Sequence, residues 1–420
     1  MMNKKCFLLF SSMVLTALNV EFCPAKQKMF YMDNAASTAI SLEAKETFDA
    51  VCQMKGNSSG KHAFAKKKKA IENRAASVIT RAIGAENIEQ VVFCNNATMA
   101  NNIALLGFAK KNPNSCLITS KIEHKSILNI MEYLKSKGHE VHYLDVDKYG
   151  VVNLSQLENI LKKVKNKHTL VSIQTVNSEL GTVEPIEKIG KIAKQYGAFL
   201  HSDASQSFCK YPMDVKKYNI DMLTISGYKI GAPEGIAALY VKDRNLIAPI
   251  LFGTGDELFP GTRPTALIAA FAKAVRVYRF NSNEARRKCS LLISELKNLK
   301  GIHINSPENS NILSISIEGV LLSDIMKHMK QFAFSSGCSC LGMNEQSNVL
   351  SAIDPKGKLP ACTLRLSFFD RISDAQLKFF AKKLIHEVKK LRREKVVKNG
   401  CEKSAVSDQK ELKAYLNKIK

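Results

Sequence analysis

The chain has 420 residues, 45% of them hydrophobic, which is enough for a large domain and a smaller one with separate cores. Its 62 Lys and Arg residues outnumber its 38 Asp and Glu residues and give a formal net charge of +24. The basic residues are spread along the chain, tryptophan is absent and aromatic residues make up 7%, so solvated helix faces are favoured over a nucleic-acid groove.

The eleven cysteines contain no C-x-x-C pair and no zinc-like spacing, which predicts free thiols in a reducing compartment and no metal site. The N-terminus, by contrast, suggests export from such a compartment. A charged "MMNKK" precedes the apolar run "CFLLFSSMVLTAL", and "CPA" resembles a cleavage site. Residues 1–26 therefore predict either an export or anchor signal or an apolar extension, although the run is short for a membrane-spanning helix. We expect a cytoplasmic protein without stable membrane association, with export or anchoring as the alternative.

From Phe30 onward, short apolar runs alternate with helical patterns, which predicts a mainly parallel sheet with crossover helices in a large domain over residues 27–265. The predicted strands are 90–94, 115–120, 140–146, 169–176, 198–203, 221–226 and 235–241. Between the fifth strand and its predecessor, Pro185 suits a first helical turn and Gly197 a left-handed stop. This unit reads as an αβ crossover.

After Thr265 the pattern changes to long charged helices and the strands 311–317 and 363–368, which predicts a smaller α+β domain over residues 266–392. Residues 393–420 are charged and polar, and we expect a helix followed by a loose basic tail.

Polar residues follow the ends of the predicted strands, where an open α/β sheet binds its ligand. Taken alone, Thr98 fits an ordinary helix cap and His124 a solvated loop histidine. Asp203 and Lys229 carry more weight, because each ends an apolar strand and a lysine is costly to bury there. Pyridoxal phosphate needs a lysine for a Schiff base and an aspartate facing its pyridinium nitrogen. The strand ends therefore predict a pyridoxal phosphate site.

Nine motifs in register carry a family resemblance. They are "YMDNAAST", "GNSSGKH", "TSKIEHKS", "TVNSELGT", "HSDASQS", "SGYKIGAPEG", "PGT", "SSGCSC" and "TLRLS". Over roughly residues 30 to 390 the chain resembles the cysteine desulfurases of the class V aminotransferase family. The resemblance implies a pyridoxal-phosphate-dependent transferase fold of the aspartate aminotransferase type, with the mobile cysteine loop in the small domain.

The resemblance also implies a role for each matching residue. Lys229 would be the Schiff-base lysine, His124 would stack on the ring and transfer protons, and Cys340 would be the nucleophile. The implied cofactor contacts are Ala97, Thr98, His124, Asn177, Asp203, Gln206, Ser226, Tyr228 and Lys229, with Thr262 reaching the partner subunit's phosphate in a homodimer. The implied substrate contacts are Asn34, Asn177 and Arg365, whose guanidinium would clamp the carboxylate.

The implied activity converts L-cysteine to L-alanine and leaves a persulfide on Cys340 for an iron–sulfur scaffold or a thiolation acceptor. Cys338 falls where the family usually has serine, so it could accept sulfur or trap Cys340 by oxidation. Asn96, Met99, Tyr228 and Phe259 depart from the family pattern around the phosphate and the dimer contact. The alternatives are a selenocysteine lyase or transaminase on the same fold, or a non-catalytic binding partner.

Overall fold

The computed structural model describes residues 29–336, 347–357, 359, 362–368 and 372–416, with side chains in the last helix as far as residue 395. The signal-like segment 1–26 and the stretch that holds Cys338 and Cys340 lie outside these residues. No helix of the described part of the chain is long and apolar enough to cross a membrane.

Twelve strands occur in the described ranges. They are β1 (Phe30–Tyr31), β2 (Val91–Cys94), β3 (Cys116–Ser120), β4 (Glu140–Leu144), β5 (Thr169–Ser172), β6 (Phe199–Asp203), β7 (Met222–Ser226), β8 (Ala237–Val241), β9 (Ile302–Ile304), β10 (Leu313–Ile317), β11 (Phe332–Ala333) and β12 (Cys362–Leu366). The helices are α1 (Leu42–Cys52), α2 (Ala63–Ile83), α3 (Ala97–Lys111), α4 (Lys125–Ser136), α5 (Leu154–Lys163), α6 (Ile186–Gln195), α7 (Thr265–Val277), α8 (Ser282–Leu296), α9 (Leu322–His328), α10 (Asn348–Ile353) and α11 (Asp374–Leu416).

Seven of these strands form the central sheet in the order β2-β8-β7-β6-β5-β3-β4. The pairs from β7 to β4 are parallel, and only β8 runs against its neighbours among the described strands of this sheet. The predicted mainly parallel α/β sheet is therefore confirmed. Most of its strands are buried on both faces, which is why they read as continuous apolar runs in the sequence.

Helices cover both faces of the sheet and create two cores. Ile79 of α2, Ile189 of α6 and Phe271 of α7 belong to the core on one face. Leu105 of α3 and Met131 of α4 belong to the core on the other. The carboxyl ends of β2, β3, β5, β6 and β7 consequently open at one edge of the sheet, between the two helical layers.

The helix α6 forms as its sequence predicts. Ile186, Ile189 and Ala193 are buried on one face, Pro185 takes the N-cap position, and Gly197 follows with a φ of +68°. A left-handed residue directly after a helix satisfies its last carbonyl groups and is strained for any residue with a Cβ.

The smaller unit is built on the antiparallel sheet β12-β10-β9 with α8, α9 and α11 packed against it. The two-residue strand β1 pairs with β11, and Phe30 and Met32 pack with this second core. Residues 30–33 therefore lie with the small unit, whereas the sequence assigned 27–265 to the large one. A pairing over some 300 residues leaves no local sequence signal.

The last helix differs from its prediction. α11 continues from Asp374 to Leu416, so the helix that the sequence predicted for the start of the last segment extends through most of the part predicted as a loose tail. Residues 393–416 contain no proline and are rich in Lys, Glu, Ala and Leu, which have high helix propensity. Their charge predicted solvent exposure, and that expectation does not require an irregular backbone.

Candidate active site

A cleft lies at the edge of the sheet where the strand ends meet. Its volume is about 570 Å³ when the space open to solvent is included. The predicted residues that line it are Ala97, Thr98, His124, Asp203, Gln206, Ser226, Tyr228 and Lys229. They come from four separate segments, so the fold brings together most of the cofactor contacts that the resemblance implied.

Lys229 sits on a single turn of 3-10 helix after β7, residues Tyr228–Ile230. Gly231 ends that turn with a φ of +80°, a conformation that a residue with a Cβ rarely adopts. Two backbone bonds hold the N-terminal segment across it: Thr38 N–H donates to the Tyr228 carbonyl (3.3 Å) and Ser41 N–H to the Gly231 carbonyl (2.9 Å). The lysine is thus presented from a backbone fixed at both ends.

Asp203 ends β6, next to β7 in the sheet, and is almost fully buried. Burial raises the pKa of its carboxyl, but hydrogen bonds from Ser205 and Asn101 and the charge of His124 outweigh it, so the pKa lies below its usual value. Ser205 N–H donates to Oδ1 (2.8 Å) and Asn101 Nδ2 to Oδ2 (2.9 Å). The aspartate therefore stays ionised inside the protein.

His124 follows β3 and caps α4. Its Nδ1 accepts from the Ser126 backbone N–H (3.1 Å) and lies 2.8 Å from the Ser126 hydroxyl. Burial lowers the pKa of the imidazole, the Asp203 charge raises it and the Lys229 charge lowers it, with a net decrease. A neutral ring whose Nδ1 accepts carries its proton on Nε2.

The opposite end of the cleft offers unpaired hydrogen-bond donors. Ala97 and Thr98 form the first turn of α3, where backbone N–H groups lack helical partners, and Asn96 Oδ1 satisfies only the Met99 N–H (2.8 Å). Ser226 Oγ is buried and has no hydrogen-bond partner among the described residues. A phosphate group here would satisfy both the helix terminus and the Ser226 hydroxyl.

Gln206 lies in the cleft with its amide held on both sides. Lys210 Nζ donates to Gln206 Oε1 (2.8 Å), and Gln206 Nε2 donates to the Ala35 carbonyl (3.1 Å). Burial and the nearby Lys229 charge hold the pKa of Lys210 well below its usual value. Lys210 was missed in the sequence, where it resembles any of the many surface lysines.

The predicted substrate-side residues lie beside the cleft. Arg365 is 2% exposed and donates from NH1 to the Ser178 carbonyl (3.0 Å) and from NH2 to Asp33 Oδ1 (2.7 Å). Asn177 is buried, and its side chain bonds to the Ile122 carbonyl and to the N–H groups of the following turn. Ser178 lines the cleft, so it links Arg365 to the cofactor side.

Three further residues that the sequence predicted at the site are not among the described residues that line the cleft. Asn34 is half-buried in the turn next to Asp33, and its backbone N–H donates to the Ser367 carbonyl (3.1 Å). Thr262 is exposed and does not line the cleft of its own chain. Cys340 lies outside the described residues.

Two of the departures from the family pattern have apolar surroundings. Met99 and Phe259 are partly buried against the core that contains α3. Tyr228 lines the cleft, and a tyrosine hydroxyl can donate a hydrogen bond to a phosphate oxygen. Packing thus explains two of these residues, while the third keeps a polar group at the site.

Both ends of the stretch that carries Cys338 and Cys340 are attached beside the cleft. Ser335 exchanges backbone hydrogen bonds with Arg365, at 2.7 and 3.3 Å. Ser347 Oγ donates to Glu179 Oε2 (2.5 Å), next to Ser178 in the chain. The intervening segment therefore starts and ends next to the substrate side of the cleft.

Most described cysteines are unsuited to nucleophilic chemistry. The described part of the chain holds them as free thiols, as the sequence predicted. Burial raises the pKa of Cys94, Cys116, Cys209, Cys289 and Cys362 to about 12. A thiol with such a pKa is almost never a thiolate at neutral pH.

The β3–β4 register also gathers Cys116, Glu140 and His142 within 4.8 Å of one another. Glu140 is already paired, since Lys167 Nζ and His142 Nε2 each lie 2.6 Å from one of its oxygens. These three residues lie at the end of β3 that is opposite the cleft, and the hydrogen bonds of Glu140 are already made to its neighbours.

The chain was compared with known proteins. The model of the aminotransferase class V family matches residues 30–379. The cysteine desulfurase IscS of Ehrlichia chaffeensis is 35% identical over 347 residues, covering 79% of this chain and 84% of that protein. The same-named protein of Buchnera aphidicola subsp. Acyrthosiphon pisum is 33% identical over 378 residues, covering 85% and 92%.

Solved structures resemble the fold as well. The NifS-like protein from Rickettsia africae ESF-5 superposes with a TM-score of 0.75 at 25% identity, covering 86% of this chain and 99% of that one. The structure of SspA in complex with cysteine gives a TM-score of 0.70 at 33% identity, covering 80% and 98%.

Proposed function

The chain belongs to the aminotransferase class V family and, within it, to the cysteine desulfurases, and we propose that its strand-end cleft binds pyridoxal phosphate and L-cysteine and passes the substrate sulfur to Cys340. The enzyme is a cysteine desulfurase, which converts L-cysteine to L-alanine. The observation that supports the site assignment best is the buried carboxylate of Asp203, held ionised in the cleft that Lys229 also lines.

The cleft residues fit pyridoxal phosphate. When bound, this cofactor supplies an aldehyde that forms an imine with an amine and a protonated ring that takes up electrons from the substrate. Asp203 would hold the ring nitrogen, because its ionised oxygens favour a proton there. Gln206 would contact the ring hydroxyl. Ala97, Thr98, Ser226 and Tyr228 would hold the phosphate, and the partnerless Ser226 hydroxyl supports that assignment.

Lys229 and His124 would carry out the proton transfers of the reaction. The ε-amine of Lys229 would hold the cofactor and would accept the α-proton of the substrate. His124 lines the same cleft as a neutral imidazole that carries its proton on Nε2. Because burial favours this neutral form, the ring would be available to accept a proton during the reaction.

Arg365 would bind the substrate carboxylate and Cys340 would take the sulfur. The Cys340 thiolate forms a bond to the substrate sulfur while the Cβ–S bond breaks, and the electron pair stays with the carbon, which takes up a proton to give alanine. The persulfide would pass to an iron–sulfur scaffold or a thiolation acceptor. The segment that carries Cys340 is attached beside the cleft at Ser335 and Ser347, and the eleven residues between them span at most ~40 Å.

The decisive experiment assays alanine and sulfide release from L-cysteine by the wild type and by Cys340→Ser and Cys338→Ser side by side. We expect only Cys340→Ser to lose sulfur transfer. Lys229→Ala should also lose the visible absorbance of the bound cofactor. Release of little alanine or sulfide by the wild type would favour a different pyridoxal enzyme. Equal losses in both serine variants would overturn the choice of Cys340.

A homodimer completes the proposal. Thr262 is exposed and does not line its own cleft, which supports a role at the phosphate of a second subunit. Thr262→Ala should then weaken cofactor affinity, measured by dialysis and absorbance, while sedimentation shows a dimer. A monomeric wild type would contradict this part of the proposal.

A further inference from the structure

Asp33, which lies in the motif "YMDNAAST", is the anionic partner of Arg365, a role that the sequence did not indicate. Its Oδ1 accepts from Arg365 NH2 at 2.7 Å, and the Arg365 side chain is 2% exposed. Moving a guanidinium out of water is costly unless it is paired and hydrogen-bonded. The aspartate therefore makes it possible to keep this cation inside the protein, next to the cleft.

The backbone around Asp33 cannot move away from Arg365. Ser367 N–H donates to the Met32 carbonyl (2.8 Å), Asn34 N–H donates to the Ser367 carbonyl (3.1 Å), and Ala35 N–H donates to Ser367 Oγ (2.8 Å). These bonds join the turn after β1 to the end of β12, the strand that carries Arg365. The distance between the two side chains is consequently set by backbone hydrogen bonds.

Two internal acceptors define the plane of the guanidinium. Asp33 holds NH2, and the Ser178 carbonyl holds NH1 at 3.0 Å. A planar group fixed at both terminal nitrogens has little freedom to rotate, which matters because bidentate recognition of a carboxylate depends on the direction of the fork. Ser335 Oγ also donates to Asp33 Oδ1 (3.1 Å), so the aspartate is itself fixed.

We propose that Asp33 is a positioning residue that aims Arg365 at the α-carboxylate of the substrate and thereby makes the site selective for α-amino acids over amines without a carboxylate. This inference rests on the proposed role of Arg365 as the carboxylate-binding residue. Asp33 acts through Arg365 and touches neither cofactor nor reacting atoms in this scheme.

Asp33→Ala is the test. We expect the KM for L-cysteine and the apparent Kd for L-alanine to rise about tenfold or more, with kcat changed far less. The Kd is read from the visible absorbance of the holoenzyme. The reason is that the orientation of a binding group affects the ground state and the transition state alike. The apparent Kd for cysteamine, which has no carboxylate, should stay unchanged. Asp33→Asn keeps an acceptor oxygen and should restore most of the affinity.

Two controls separate positioning from general damage. Asp374→Ala removes an exposed carboxylate that pairs with Arg287 at 2.6 Å and should leave all three values unchanged. In an Arg365→Met background, Asp33→Ala should add no further loss for L-alanine.

Equal weakening of L-alanine and cysteamine, or an unchanged Kd for L-alanine, would overturn the inference. The L-alanine titration needs no turnover, so an absence of sulfide release by the wild type would count against the proposed function alone.

Discussion

Two buried carboxyl groups at the strand ends, Asp203 and Glu123, have opposite electrostatics. Asp203 has a pKa below its usual value because donors outweigh the cost of burial. Burial raises the pKa of Glu123 to about 8, although Ser120 Oγ (2.7 Å) and the Gln174 N–H (3.0 Å) donate to it, and the Asp203 charge raises it further. Burial alone therefore does not determine ionisation here. The hydrogen-bond donors around Asp203 outweigh the cost of burial, whereas those around Glu123 do not.

This contrast can be tested most strongly at Asp203. Asp203→Asn keeps the shape and removes the charge, so we expect kcat/KM for L-cysteine to fall by about 10²–10³-fold, the scale for losing one preorganised electrostatic group. The absorbance of the bound cofactor should change with it. Asp221→Asn is the control, because Asp221 directly precedes β7, at the opposite end of that strand from the cleft, and accepts from the Leu200 N–H (2.9 Å). Similar losses in both variants would show that any buried carboxylate matters equally.

A smaller effect is expected at the donor that favours ionisation of Asp203. Asn101→Leu removes the 2.9 Å bond to Oδ2 and should reduce kcat/KM about tenfold, since a hydrogen bond to a charged group contributes roughly 1.5–3 kcal/mol. The pKa of Asp203 should rise, so the acid limb of the pH profile should move to higher pH. Asn112→Ala, which changes a side chain at the far end of α3 that bonds to the Phe108 carbonyl, should leave that limb in place. An unmoved acid limb in Asn101→Leu would contradict the account of Asp203.

Glu123 should affect activity least and the pH dependence of stability most. Its pKa is raised from 4.5 to about 8 in the folded protein, so the folded state binds the extra proton between these values and stability falls as the pH rises through that window. The slope from one such group is at most about 1.4 kcal/mol per pH unit. Glu123→Gln should flatten this part of the curve in urea unfolding between pH 5 and 8. A wild-type slope that survives in Glu123→Gln would assign it to other groups.

The sequence predicted the sheet and most of the cofactor contacts because both depend on local signals. Apolar runs mark the strands, and the residues directly after them, such as His124 and Lys229, must meet at one edge of a parallel sheet. Asn101 was missed although it interrupts an apolar helix, a pattern that often marks a buried hydrogen bond. Asp33 was missed because its partner is distant in the chain, and Lys210 because its burial leaves no mark among so many lysines.

The pair of Asp33 and Arg365 has a consequence for how the protein is made. The residues lie 332 positions apart, whereas the proposed cofactor-binding residues that line the cleft fall between residues 97 and 229. Because a chain leaves the ribosome from its N-terminus and domains fold as they emerge, the cofactor cleft can assemble well before Arg365 has been synthesised. Closing the long loop between the two residues also carries an entropic cost that delays the contact. We therefore expect a nascent or C-terminally truncated chain to hold the cofactor before it can select an amino acid.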